Sequence, residues 1–182
     1  HLDGVDDERL VERWLSENYP LITEQYPPGI KLSGYALHTR YDALPELSDR
    51  AVSPAAVLAP AIELTACEVV TPRVAARDLR LHPPSGWVHV RLWLRAAGPV
   101  TENYRLDARV VGADGVWGEL LPRANSSLER FPTSGWQPGA WMRIEADINL
   151  NPETPPGVYT VVVGLGAGAE AACGPVEIVP GS

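Results

Sequence analysis

Glu63, Glu68, Glu119, Glu145 and Asp147 are the residues from which hydrolytic chemistry could be built. Glycoside hydrolysis needs two carboxyl groups flanking one bond, one of them holding a proton. Each of the five sits in a segment of alternating polar and apolar residues, so each is expected on a solvated strand face. Spacing alone brings no two of them together. Histidine offers less. Of His1, His38, His82 and His89, His89 lies on the polar side of an alternating run, between Val88 and Val90. No HxH or HExxH pattern accompanies it, so it reads as a surface histidine and not a metal ligand. The run GLGAGAE, Gly164 to Glu170, has the glycine content of a phosphate loop but lacks the Lys-Ser/Thr pair and a following helix. It reads as a flexible hairpin. There is no GxSxG elbow, and the sequon Asn125-Ser126-Ser127 is a pattern common by chance. No catalytic residue, metal site or cofactor is expected.

The tryptophans are better candidates, for binding. Pyranose C–H faces stack on flat aromatic rings while polar side chains read the hydroxyls. Trp93, between Arg91 and Arg95, and Trp141, beside Arg143, suit such a surface. These five residues form the candidate glycan-binding set. A competing reading makes Trp136 and Trp141, which bracket the turn Gln137-Pro138-Gly139-Ala140, a corner clamp that buries large rings. It lets Trp93 pack beneath the N-terminal helix. The clamp is the favoured reading of the bracket.

Three regions must position these residues. Residues 1–41 read as a helix–strand appendage. Val5 to Tyr19 places Leu10, Val11, Trp14 and Leu15 on one helical stripe with acidic residues in the first turn. Pro20 and Pro27-Pro28-Gly29 then break the pattern, and a strand follows over Ile30 to His38. Residues 42–60, rich in Pro and Ala, read as a linker. Residues 61–182 switch to a period of two. Val88, Val90, Leu92 and Leu94 share one face of a strand, with His89, Arg91, Trp93 and Arg95 on the other. Met142, Ile144, Ala146, Ile148 and Leu150 oppose Arg143, Glu145, Asp147 and Asn149. Tyr104 to Val110 alternates too, and Ala113-Asp114-Gly115 signals a hairpin. VYTVVVGL is nearly continuous apolar and reads as a central strand covered on both faces. Gly164 to Gly174 reads as small and flexible, and Val176 to Val179 closes the sheet. Seven or eight short strands at this spacing predict a mainly β fold, a two-layer antiparallel β-sandwich, Ig-like or jelly-roll, with a short N-terminal helix–strand appendage.

The bulk composition narrows the partners. The net charge is −8 and Lys31 is the one lysine beside fourteen arginines. An acidic chain without a basic stripe is a poor nucleic-acid binder and a poor ligand for anionic lipid. No stretch reaches the length of a membrane span, and the first thirty residues hold no signal-peptide apolar run. The chain has no initiator Met and reads as a piece of something longer. Cys67 and Cys173 are the two cysteines. They can be two buried thiols or a disulfide closing a long loop. Their spacing excludes a zinc knuckle.

The order of motifs then carries a likeness. An alternating VRLWLRA strand precedes ENYRLDARVVGADG, FPTSGWQPGAW, a second alternating strand, and NPETPPGVYTVVVGL. This resembles the C-terminal extracytoplasmic β domain of bacterial membrane glycosyltransferases related to the dolichyl-phosphate-mannose mannosyltransferases. The matching elements are Tyr104, Asp114-Gly115, Pro132 to Gly139 and Pro155 to Tyr159. The segment WLSENYPLITEQYPPGIKLSGY resembles the helix–strand unit that often precedes that domain. The resemblance implies a periplasmic or cell-surface location, tethered by a membrane region outside this chain, with no insertion by the chain itself. It transfers no active-site residue, because those of the family lie in its membrane part. The expected function is that of a soluble, non-catalytic accessory domain of a glycosyltransferase-like parent. Its partners would be a glycan or glycolipid acceptor and the membrane-embedded part of the parent. The alternatives are a structural interaction domain without ligand, presenting an apolar patch around Trp14 and Tyr35, and a free-standing glycan hydrolase with two carboxylates facing one cleft.

Overall fold

A computed structural model describes residues 9–81 and 84–181. The chain begins with helix α1 (Leu10–Asn18), followed by strands β1 (Leu21–Gln25), β2 (Leu32–Tyr35), β3 (Arg40–Tyr41), β4 (Ala56–Ala59), β5 (Ile62–Val69) and β6 (Arg73–Ala75). It continues through β7 (Trp87–Ala96), β8 (Leu106–Gly112), β9 (Gly115–Leu120), the short helix α2 (Ser127–Arg130), β10 (Trp141–Leu150), β11 (Gly157–Leu165) and β12 (Glu170–Val179). β1 and β2 form a separate antiparallel pair. The other strands make one sheet in the order β4-β5-β7-β10-β9-β8-β11-β12-β6, with β3 attached to β10. The sheet curls on itself, and its two halves are the layers of the expected sandwich. All pairs are antiparallel except β12 with β6, which is parallel.

Alternation accounts for the core. Val88, Val90, Leu92 and Leu94 of β7 are fully buried, as are Met142, Ile148 and Leu150 of β10. Val110, Val161 and Ile178 meet them from the opposite layer. The layers join at a narrow seam, where β9 pairs with β10 only over Ile148–Leu150. Elsewhere the disulfide Cys67–Cys173 ties β5 to β12, with Cα atoms 5.5 Å apart. The β11–β12 hairpin presses on β4 so tightly that a Cβ at Gly168 would stand 2.0 Å from Leu58 O. Only glycine fits there.

Several expectations need correction. The helix spans Leu10–Asn18. Val5, His1, His82 and the acidic run of residues 6–8 lie outside the described residues. The apolar stripe of α1 is not covered: Val11 is 66% and Trp14 54% exposed. The stretch read as a linker is built into the sheet, because Val52 bridges Cys67 and Ala56–Ala59 pairs with β5. β11 is central by pairing, but only its second half is shielded on both faces; Val158 is 73% exposed. The last strand starts at Glu170, six residues earlier than expected, since the flexible stretch is only the turn between β11 and β12.

The signature turns behave as their residues dictate. Thr133 Oγ1 donates to Glu102 O at 2.6 Å and accepts from Tyr104 N at 2.9 Å, latching the corner to the start of β8. Gln137 O accepts from Ala140 N across Pro138-Gly139, and Gly139 takes φ 86°. That is the positive φ a type II turn demands at its third residue. Trp136 is buried, with Nε1 donating to Phe131 O. It is the buried half of the bracket; Trp141, the other half of the expected clamp, is only partly buried. Tyr159 donates to Pro155 O at 2.8 Å.

Candidate functional site

The site is the polar face of β5, β7 and β10. Register places Glu68, Arg91 and Glu145 in one row across the three strands. His89 stands opposite Asp147, and Trp93 opposite Arg143. Opposite side chains on one face of a sheet touch, so charges of unlike sign are brought together by pairing alone. His89 Nδ1 lies 2.7 Å from Asp147 Oδ1 and His89 Nε2 lies 2.9 Å from Glu145 Oε2. Arg91 donates to Glu145 at 3.1 Å and to Glu68 at 3.3 Å. Arg50 reaches Glu68 at 3.3 Å, and Arg123 donates to Asp147 at 2.7 Å. Arg143 Nε stands 3.2 Å from Glu145 Oε1 but is misaligned and makes no hydrogen bond.

The central carboxylates of this face are not solvated, which overturns the expectation for Glu68, Glu145 and Asp147: all three are buried. His89 is likewise no surface histidine, with a side chain 15% exposed. The roof comes from elsewhere in the chain. Tyr41 packs edge-on against Trp93 at 5.2 Å. Leu21 N donates to Asn125 O, which anchors β1 to the loop carrying Arg123. Asn125 itself donates to Tyr19 O and accepts from Arg130 Nε, so the sequon asparagine is a structural tie.

Burial sets the electrostatics. Desolvation disfavours the imidazolium of His89, but the hydrogen bonds it donates to Asp147 and Glu145 outweigh this and raise the group to about 9. Burial likewise disfavours the Glu145 carboxylate, and the bonds and charges of His89 and Arg91 reverse this, lowering it to about 2. At neutral pH the pair is the His89 imidazolium against the Glu145 carboxylate.

Beside this network lies a cleft of about 360 Å³. Ile144, Glu145, Ala146 and Asp147 border it from β10, with Arg123 and Leu121 at one end. Glu129 borders it too, so three carboxylate residues face one cleft, as the hydrolase reading requires. Glu145 and Asp147 are engaged by cations. No family model, curated protein or solved structure matches this chain. Function must be argued from the side chains themselves. Among the described residues, no group of three or more His, Cys, Asp and Glu is arranged to hold a metal ion. No helix among them is long and apolar enough to cross a membrane.

The candidate glycan set divides. Arg91 and Arg143 belong to the buried network. Trp93 is 5% exposed and roofed by Tyr41, with the Arg143 guanidinium 6.0 Å from its ring centroid, so it is no outward platform. Trp141 and Arg95 stand together at the strand end, the guanidinium 5.6 Å from the Trp141 centroid and the ring half-buried. Of the five, this pair remains at the surface. Arg123 was not singled out from sequence. A signal for the rest does exist: His-x-Arg in β7 and Glu-x-Asp in β10 are complementary when the strands pair antiparallel.

Proposed function

We propose that this chain is a non-catalytic accessory domain acting on the extracytoplasmic side of a membrane glycosyltransferase-like protein. The observation that carries the non-catalytic part is the state of Glu145. A glycosidase acid must keep its proton near neutral pH, which requires a raised pKa. Glu145 is driven the other way by His89 and Arg91. The disulfide supports an oxidising compartment. The glycosyltransferase context rests on the resemblance of the turn motifs. Glycan contact, in this reading, falls to Trp141 with Arg95. Titrating the chain with diverse glycans and following tryptophan fluorescence tests it. A saturable response lost in Trp141→Ala supports the reading, and a flat response across all glycans removes the binding part. Glycan hydrolysis abolished by Glu145→Gln would refute the non-catalytic part.

The exposed stripe of α1 favours a second reading, a docking domain without ligand. Val11 and Trp14 are both more than half exposed, and such apolar surface marks contact sites. A photocrosslinker at position 14 that joins the membrane-embedded part of the parent supports this. Unchanged association of a Val11→Glu/Trp14→Glu variant speaks against it.

A further inference from the structure

The turn of the β1–β2 hairpin and the loop after β6 meet at the surface. Residues 26–31 of the turn line an open groove of about 600 Å³ together with Leu79 and Leu81 of the loop. A second groove joins Pro27 and Leu81 to Trp87 at the start of β7. Pro27 and Leu81 belong to both, so the two grooves form one continuous surface. It is apolar and uncovered. Tyr26 is 41%, Ile30 58% and Leu79 62% exposed, and Trp87 is half-buried. Pro27 and Pro28 stiffen the turn, and Gly29 takes φ 75° within it. Contiguous exposed apolar surface of this kind marks a contact site.

Two features indicate what this surface contacts. One is the backbone. Pro27 and Pro28 have no N–H. Ile30 N donates to Pro27 O at 2.9 Å, Leu81 N to Asp78 O at 3.1 Å, and Arg80 N to Asp78 Oδ1 at 3.0 Å. The two turns thus lack or use up most of their donors. Strand addition by a peptide needs such donors free, whereas an apolar medium penalises every free one. The other feature is charge. Among the described residues, Lys31, Asp78 and Arg80 are the charged ones lining the grooves. Lys31 pairs with Glu12 at 2.5 Å and Glu24 at 2.9 Å, and Arg80 with Asp78 at 2.6 Å. No unpaired cation is offered by these residues, on a chain whose net charge is −8. That fits a zwitterionic surface and disfavours an anionic one. Aliphatic side chains beside Tyr26 and Trp87 match the membrane–water interface, where rings with one polar end settle.

We propose that this surface is a lipid-contact tip, which seats on a zwitterionic bilayer by dipping Ile30 and Leu79 to the level of the headgroups. The contact is shallow and spans nothing. It replaces the expectation that the chain itself makes no insertion, and it holds whether or not the chain serves a glycosyltransferase. Three partly exposed side chains offer less apolar surface than one acyl chain, whose own anchoring is marginal and reversible. The tip therefore orients the domain on a bilayer and does not anchor it there.

The test uses the full chain, isotope-labelled, with phosphatidylcholine bicelles doped with a nitroxide-headgroup lipid. The amide resonances of Gly29, Ile30 and Leu79 should broaden well beyond that of Val57. Val57 is 57% exposed and pairs with Glu63, which stands opposite Arg95 at the other end of β7 from Trp87. Ile30→Ser/Leu79→Ser should weaken binding at least about tenfold and leave the thermal midpoint in place, since both side chains are exposed. Phosphatidylglycerol in the bicelle should not tighten binding. Equal broadening at Val57, unchanged affinity of the double variant, or binding confined to phosphatidylglycerol each overturns the proposal. Tip resonances that stay unmoved at millimolar phosphatidylcholine overturn it too, and a shift on adding the membrane-embedded part of the parent would then assign the tip to a protein contact.

Discussion

The two faces of β7 and β10 both bury side chains, by opposite means. On one, Leu92, Leu94, Met142 and Ile148 meet the facing layer with no polar group to satisfy. On the other, Glu145 and Asp147 are equally hidden, and every carboxylate there has cationic partners. The first face tolerates error gradually, since burial scales with area. The second does not, because removing one partner strands the rest. The same strands therefore carry a forgiving surface and an unforgiving one, and the cleft lies beside the second.

The largest effect should come from the dry side. Replacing both Cys67 and Cys173 by Ala opens a loop spanning 106 positions. The chain-entropy argument gives a loss of about 4–5 kcal/mol, read as a lower guanidinium midpoint. A loss under about 1 kcal/mol would mean that packing alone holds the layers. Next come neighbours on opposite faces. Glu145→Ala should cost about 3–5 kcal/mol, by leaving His89 and Arg91 without their carboxylate. Ile144→Ala should cost about 2–5 kcal/mol, through a cavity. Urea unfolding of the two variants compares the faces directly, and near-zero loss for Glu145→Ala would erase the distinction.

Acidity probes the charged face alone. His89 is raised to about 9 from 6.5, so its contribution is whole below about 6.5 and fades as pH climbs through 9. Glu145 is lowered to about 2 from 4.5, so its contribution is whole above about 4.5 and fades as pH falls toward 2. Unfolding free energy should therefore be highest between these limits and drop on the order of 2–3 kcal/mol on either side. Ile144→Ala should keep this profile and Glu145→Ala should flatten it. The smallest effect belongs to the surface pair: Arg95→Ala should change stability by less than about 1 kcal/mol.

The strands were legible because alternation encodes them: Trp87 to Arg95 and Met142 to Leu150 read as they fold. The corner at Trp136 was legible too, since Pro138-Gly139 admits few geometries. What alternation cannot say is whether a polar face meets water. The roof over Trp93 comes from Tyr41, and the arginine beside Asp147 comes from a loop after β9; neither contact is local. Glu68 was hidden for a further reason. A bulge between Leu64 and Ala66 shifts the phase of β5, so Cys67 and Val69 join the dry side and Glu68 the charged row. Strict counting from Ile62 puts Glu68 with the leucines.

The molecule resembles a bound book. Three residue pairs between β9 and β10 are its spine, and the sulfur bridge is a clasp on the covers. Undoing the clasp leaves the covers held by that spine and by the packed pages between them, so a reductant would act on the closure of the book and leave the strand pairing in place.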